Sequence, residues 1–212
     1  MNEKFYNLPE EKRQRILNAG YRVFAWNSYK KSPVGEIAQE AGISKSLLFH
    51  YFRNKRELYL FLWDTAAQVT IEQLTAWGCY EKTDLFEMMY SGMKAKAQIM
   101  REYPDLAAFT IRAFYEETAP EVRDPVHESY QKHLGYKAAS SLLRVDPEQF
   151  RPGLDLQMMY REMYWAAEGY LMELLWKGPL TPQDVDQMEE DFCKILDFWK
   201  QIYLREPEKE EC

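Results

Sequence analysis

The sequence predicts an all-α fold of about nine helices, with a three-helix unit at the N-terminus. Three observations lead to this prediction. Apolar residues recur at helical spacing along most of the 212 residues. Proline, glycine and capping side chains separate these periodic segments, as they do at helix ends. Residues 32–57 fit two short helices joined by a tight turn and followed at once by a third.

The first predicted helix begins near Pro9 and ends at Asn27 and Ser28. Two glutamates stand in its first turn, where acidic side chains suit the helix dipole. Its apolar positions, such as Ile16 and Phe24, form one stripe and predict a buried face.

The second helix of the N-terminal unit is expected to start with Ser32 as its N-cap and Pro33 at its first position. Gly42 is expected to end this helix, because glycine readily takes the positive φ that a residue just past a helix end needs. A helix-turn-helix, over residues of about 33–52, is therefore predicted.

The third helix is predicted to be capped by Ser44 and to run through Tyr51. Its position makes it the recognition helix of the motif, the one that enters the major groove in proteins of this architecture. Asn54 followed by Glu57 is a capping-box pattern, and it predicts a new helix from Lys55.

The remaining chain divides at prolines, glycines and polar runs. We expect residues 1–54 to form the helix-turn-helix domain, residues 55–77 a connecting helix, residues 78–205 a second helical domain, and residues 206–212 a charged tail. The helices expected in the second domain cover residues 84–103, 105–117, 120–144, 154–177 and 181–203.

The net charge of −7 conceals a strong asymmetry along the chain. Residues 1–56 carry 11 Lys and Arg against 5 Asp and Glu, a net charge of +6, whereas the rest carries 16 basic against 29 acidic residues, a net charge of −13. A basic head that contains a helix-turn-helix indicates phosphate binding by that head.

Several classes of protein do not fit the sequence. We predict no membrane span and no signal peptide, and hence a cytoplasmic protein, because the chain has no apolar run of about eighteen residues. Cys79, Cys193 and Cys212 match no disulfide or metal motif and are read as ordinary thiols, with redox sensing left as an alternative. The histidines, glycines and carboxylates match no catalytic signature, so we expect no enzyme, no metal and no cofactor.

The helix-turn-helix segment resembles the DNA-binding domain of the TetR family of one-component transcriptional regulators. The resemblance lies in Ile37-Ala38, Ala41 to Lys45, Phe49 to Phe52, Asn54-Lys55 and Glu57-Leu58, and it covers roughly the first quarter of the chain. It implies a palindromic double-stranded DNA operator, a homodimer and a small-molecule effector. It also implies that the protein is a repressor that the effector releases from DNA.

Physical chemistry and the resemblance together select the DNA-binding candidates. Lys45 can reach guanine or phosphate, Leu47 can contact a thymine methyl, and Tyr51 can donate to phosphate. Lys30 and Lys31 precede a helix N-terminus, a position that attracts phosphate. The full set is Lys30, Lys31, Ser32, Ser44, Lys45, Ser46, Leu47, Phe49, His50, Tyr51 and Lys55. For His50 and Tyr51, packing in a small core is the alternative.

The second domain supplies the candidates for effector binding and dimerisation. Its middle helices are rich in Met and aromatic residues, which could line an apolar pocket closed by a few polar groups, although core packing explains them equally well. The pocket candidates are Met89, Met93, Phe109, Arg112, Glu116, His133, Tyr164 and Glu168. By the resemblance, the last two helices would form a four-helix dimer interface that includes Trp165, Met172, Trp176, Phe192, Ile195 and Trp199.

Alternatives remain for the second domain and for the protein as a whole. The apolar last two helices could instead complete a large monomeric core, and the acidic charge would also suit a cationic, drug-like ligand. The chain as a whole could also be a helical protein-interaction module with a vestigial helix-turn-helix. That reading leaves the basic head and Leu47 without a role.

Overall fold

A computed structural model describes residues 3–132 and 142–205. Within that part of the chain the protein is helical, with an isolated antiparallel bridge between Phe150 and Leu204. The α-helices are α1 (Glu3–Tyr6), α2 (Glu10–Trp26), α3 (Val34–Glu40), α4 (Lys45–Tyr51), α5 (Lys55–Ala76), α6 (Leu85–Glu102), α7 (Leu106–Ile111), α8 (Pro120–Tyr130), α9 (Leu156–Trp176) and α10 (Pro182–Tyr203). No helix in these two ranges is long and apolar enough to cross a membrane.

The all-α prediction is confirmed, and most predicted helix ends fall within two residues of the observed ones. The short helix α1 was not predicted. A π-helical turn, Arg112–Glu116, continues α7 and was also missed. The helix predicted over residues 120–144 is observed as α8, and residues 133–141 lie outside the described part.

The described residues divide into two compact units. The first takes the chain up to Glu72 and resumes at Ile99, and the second comprises Gln73–Gln98 and the C-terminal part from residue 142. The predicted division at residue 54 follows the sequence motif. Packing instead groups most of α5, all of α7 and α8, and the end of α6 with the helix-turn-helix.

The first unit is built around buried aromatic rings. Tyr59 of α5 lies 4.9 Å from Phe24 and 5.2 Å from Phe109, measured between ring centroids. Edge-on contacts of this kind are favourable beyond the area they bury. At Gly20, α2 approaches α5 so closely that a Cβ atom would lie 2.6 Å from Leu62 Cδ1. The helices that carry the candidate site are therefore fixed by a dense core.

The second unit has a separate core from α6, α9, α10 and the segment that joins α8 to α9. Its buried members are Leu85, Phe86, Met93, Val145, Phe150, Met159, Met163, Phe192, Leu196 and Trp199. Polar contacts fix α9 against α10: Tyr170 donates to Asp191 at 3.0 Å, and Tyr203 donates to Glu162 at 2.8 Å. Burial and the bond to Asp191 raise the pKa of Tyr170 to about 12. The tyrosine is therefore a neutral hydrogen-bond donor at physiological pH.

Candidate nucleic-acid interface

The turn between α3 and α4 is set by hydrogen bonds within six residues. Gly42 has φ of +66°, as predicted. Its N–H donates to Gln39 O at 3.0 Å, and Ile43 N–H donates to Ala38 O at 2.9 Å, which together form a Schellman motif. The motif satisfies carbonyls at the end of α3 and directs the chain into α4.

Helix α4 has a capped start and a buried inner face. The Ser44 hydroxyl accepts from Leu47 N–H at 3.1 Å, which confirms Ser44 as the N-cap. Leu48 is fully buried and Phe52 nearly so, as the helical spacing predicts. Phe52 contacts Phe5 and Phe61 at 5.4 Å and 5.0 Å between centroids, so the end of α4 is anchored to α1 and α5.

The opposite face of α4 and the loop before α3 are open to solvent. Among the predicted DNA-binding residues, the exposed ones are Lys30, Lys31, Ser44, Lys45, Ser46, Phe49 and His50, and the half-buried ones are Leu47 and Lys55. These side chains present cations, a hydroxyl pair and an apolar edge, which are the groups that contact phosphates and base edges.

Two predicted site residues are buried. Ser32 is 1% exposed, and its hydroxyl donates to Ser28 O at 2.9 Å. It does not cap α3, because Pro33 occupies the N-cap and no side chain bonds there. Tyr51 is also buried, and its ring packs edge-on against Phe5 at 6.3 Å. The structure thus corrects the prediction that the Ser32 side chain faces DNA. For Tyr51 it supports core packing of the ring, the alternative named above.

Lys55 is engaged with the protein itself. Its Nζ donates to Ser32 O at 2.8 Å and to Lys30 O at 3.2 Å, and it lies 4.9 Å from the Tyr29 ring centroid. Burial lowers the pKa of the Lys55 ammonium, although the Glu117 carboxylate acts in the opposite sense. Lys55 therefore stabilises the loop between α2 and α3, a role the sequence did not indicate.

The Glu117 carboxylate also binds the loop between α2 and α3. Glu117 is 6% exposed, and its Oε2 accepts from Tyr29 N–H at 2.7 Å. Five residues earlier, Arg112 Nε donates to Ala25 O, in the last turn of α2, at 2.7 Å. Neither residue belongs to a recognisable motif. The only sequence signal is a carboxylate just before a helix start at Pro120.

Several of the predicted effector-pocket residues have contacts within the unit to which each belongs. Phe109 is fully buried in the aromatic core of the first unit, and Arg112 pairs with Glu116 in addition to binding Ala25. Met93 belongs to the core of the second unit, and Met89 packs against it. These contacts correct the pocket assignment for Phe109 and explain the others by packing.

Two of the remaining pocket candidates lie on an exposed side of a helix. On α9, Tyr164 donates to Glu168 at 2.9 Å on an exposed face. His133 lies outside the described residues. In the first unit, a surface groove runs between α1, α2 and α5, past Tyr6, Arg13 and Phe61, and none of the predicted pocket residues lines it.

The predicted dimer residues divide into two groups. Trp165 is 59% exposed and Trp176 is 83% exposed, so both side chains are accessible to a partner. Met172 and Ile195 are half-buried. Phe192 and Trp199, by contrast, are buried in the core of their own subunit, which contradicts their assignment to the interface. On α10 the exposed large residues are instead Phe198 and Ile202.

The described part of the chain contains no cluster of three or more His, Cys, Asp or Glu residues able to hold a metal ion. Two surfaces of the described residues are open to a partner: the basic, solvent-facing side of the helix-turn-helix and the exposed apolar side chains of α9 and α10.

Comparison with known proteins bears on the first of these features. Residues 16–61 match the family of bacterial regulatory proteins called the tetR family. The HTH-type transcriptional activator FasR of Mycolicibacterium smegmatis is 40% identical over 60 residues, which are 28% of this chain and 27% of that protein.

Similarity also extends over most of the chain. The fatty acid metabolism regulator protein of Bacillus subtilis is 22% identical over 161 residues, which are 74% of this chain and 79% of that protein. The crystal structure of the transcriptional regulator FadR from Bacillus subtilis, in complex with stearoyl-CoA, has a TM-score of 0.55 at 19% identity. The alignment covers 86% of this chain and 96% of that one. At that identity, the likeness to FadR establishes the fold.

Proposed function

We propose that this chain, a DNA-binding transcriptional regulator of the TetR family, represses transcription as a homodimer on a two-fold symmetric site. A small-molecule effector would release it from that site. The observation that carries the proposal is the solvent-facing side of α4, which is polar and basic although its inner side is anchored in an aromatic core.

Recognition would combine positioning and base contacts. Lys30 and Lys31 stand on the loop before α3, where they can bind phosphates and set the register of the domain on the duplex. Lys45 can donate to guanine or phosphate, and Leu47 can contact a thymine methyl. Ser46 and His50 add polar groups on the same face, and Phe49 adds apolar surface.

Dimerisation is supported by the exposed side of α9 and α10. A contiguous apolar surface is costly in water and commonly marks an interface. Two-fold pairing of recognition helices matches the two half-sites of a palindromic site. The interface proposed here comprises Trp165, Met172, Trp176, Ile195, Phe198 and Ile202.

The effector we propose to test first carries a fatty-acyl chain. One relative is named a fatty acid metabolism regulator, and a protein of similar fold was crystallised with stearoyl-CoA. The second unit of this chain is rich in methionine, and methionine adapts to flexible apolar ligands.

A DNA-binding titration tests the first half of the proposal. The full chain is used to select sites from a random double-stranded library, and binding to the selected site is measured across salt concentrations. We expect a two-fold site and an affinity that falls steeply with salt. Lys45→Ala should weaken binding at least about tenfold, whereas Lys200→Ala, which changes an exposed lysine of α10, should leave it unchanged. Equal binding by the wild type and the Lys45 variant would overturn the assignment of α4 as the reading helix.

A second titration tests the effector class. Stearoyl-CoA added to the protein–DNA complex should release DNA, whereas coenzyme A alone should not. If neither compound releases DNA, the fatty-acyl effector is wrong while the DNA-binding result stands.

A further inference from the structure

A buried carboxylate joins two segments of the first unit that are far apart in sequence. Glu117 Oε1 accepts from the N–H groups of Thr118 and Ala119, both at 2.9 Å, just before α8 begins. Its other oxygen, Oε2, accepts from Tyr29 N–H at 2.7 Å. The first oxygen therefore serves its own helix start, and the second serves a loop 88 residues earlier.

The π-helical turn fixes the position of this carboxylate. Glu117 N–H donates to Arg112 O at 2.9 Å, which closes the wide turn. The Arg112 guanidinium binds Ala25 O, where a cation also suits the C-terminal end of the α2 dipole. The turn is thus attached at its first residue to the end of α2 and, just past its last residue, to the loop that follows α2.

The loop is also held by a cation. Lys55 binds the carbonyls of Lys30 and Ser32, so residues 29–32 are bound by an ammonium group as well as by a carboxylate. Each charge binds the backbone, which leaves the side chains of Lys30 and Lys31 exposed.

We infer that Glu117 is a positioning residue for DNA binding: through Tyr29 N–H it holds the α2–α3 loop in the conformation that presents Lys30 and Lys31 to phosphates. The inference rests on the proposed function, because it assigns these lysines a role on DNA. Glu117 itself does not touch DNA.

Glu117→Gln separates the loop contact from the helix start. The amide keeps one oxygen, which the two N–H groups at Thr118 and Ala119 should retain. The amide nitrogen then faces Tyr29 N–H. Because both groups are hydrogen-bond donors, the hydrogen bond from Tyr29 N–H is lost. The full-length variant should bind the selected DNA site about tenfold more weakly, as expected for the loss of a hydrogen bond to a charged acceptor.

The salt dependence distinguishes positioning from a general loss of folded protein. A smaller folded fraction lowers the apparent affinity but leaves the slope of log K against log salt unchanged. Lost phosphate contacts reduce that slope by about 0.9 each, so up to about 4 for two lysines in each half of a dimer. Lys30→Ala with Lys31→Ala should give the same reduction, and adding Glu117→Gln to this pair should reduce it no further.

Glu128→Gln is the control, because Glu128 is an exposed glutamate of α8, the helix that follows Glu117. It should leave affinity and slope unchanged. Hydrogen exchange of the backbone amides in a peptide that contains Tyr29 supplies a readout that needs no DNA. The exchange should be faster in Glu117→Gln than in the wild type, and unchanged in the control variant.

Two results would overturn the inference: an unchanged salt slope in Glu117→Gln, or unchanged exchange at Tyr29. Failure of the wild type to select any DNA would overturn the proposed function, and with it the role given to the loop. The exchange result would still report separately whether Glu117 orders that loop.

Discussion

The two exposed surfaces of this protein, on α4 and on α9, differ in what they offer to a partner. Helix α4 has seven residues and presents Lys45, Ser46 and His50 to solvent. Helix α9 has 21 residues and presents Trp165 and Trp176. Water solvates the first surface well, whereas apolar surface of the second kind is stable only when it is covered.

Exposure has a different meaning for the two kinds of side chain. Charged side chains are exposed on any soluble protein, so α4 is informative because its inner side is locked by Leu48 and the loop beside it by Lys55. On α9 the exposed tryptophans are informative by themselves, since large aromatic residues are uncommon outside cores and interfaces.

The largest expected effect comes from charging the apolar surface. Trp165→Glu combined with Trp176→Glu should raise the dissociation constant of the proposed dimer at least about a hundredfold, because aromatic anchors dominate the energetics of interfaces. Sedimentation of the variant should show a monomer. Helical content should be retained, since both side chains are exposed within the subunit.

Tyr90→Glu is the control for this experiment. Tyr90 is 43% exposed on α6 of the same unit but lies outside the proposed interface. It should leave the dimer intact. A double tryptophan variant that stays dimeric would show that the exposed side of α9 is not the interface.

A medium effect should come from the packing behind the basic surface. Gly20→Ala places a methyl group 2.6 Å from Leu62 Cδ1 in a fully buried contact, which should lower the free energy of unfolding by about 1–3 kcal/mol. Gly35→Ala, in the first turn of α3, meets no atom within 4 Å and should raise it by up to about 1 kcal/mol.

Chemical denaturation of the two glycine variants measures both changes. The opposite signs distinguish close helix packing from helix propensity, because each substitution adds the same methyl group to a helix. Equal destabilisation by both would mean that the approach of α2 to α5 does not limit the size of residue 20.

The smallest effect concerns the pH dependence of stability, and it contrasts the N-cap of α10 with the N-cap of α4. In α10, Asp184 accepts hydrogen bonds from the Thr181 hydroxyl and N–H, and these bonds hold the pKa of its carboxyl below the usual value. The folded-state pKa is thus lower than the unfolded one. This contribution to stability is therefore present above pH of about 4 and is lost as the pH falls through the folded-state pKa.

Asp184→Asn should flatten the fall of the melting temperature between about pH 4 and pH 2, with the variant below the wild type at neutral pH and close to it at about pH 2. The cap of α4 has Leu47 in the corresponding third position, so its start carries no such dependence. Parallel melting curves for the wild type and the variant would contradict the linkage of Asp184 to stability.

Local sequence predicted the fold and much of the candidate site. Gly42, Ser44 and the Asn54–Glu57 pair act on atoms within five residues, so the helix-turn-helix and its exposed face follow from short-range rules. The same rules misplaced Ser32. Its hydroxyl could cap α3, but the observed turn directs it to Ser28 O.

The amino-acid sequence predicted most of the helices, the solvent-facing side of α4 and the apolar character of α9 and α10. Packing of the helices fixes which aromatic side chain of α10 is buried. Trp199 lies in the core and Phe198 lies outside it, although the two are neighbours in sequence and both are large and apolar. Only the tertiary structure paired Glu117 with Tyr29. A hydrogen bond that spans 88 residues leaves no periodic trace, since it depends on how helices pack and not on how one helix repeats.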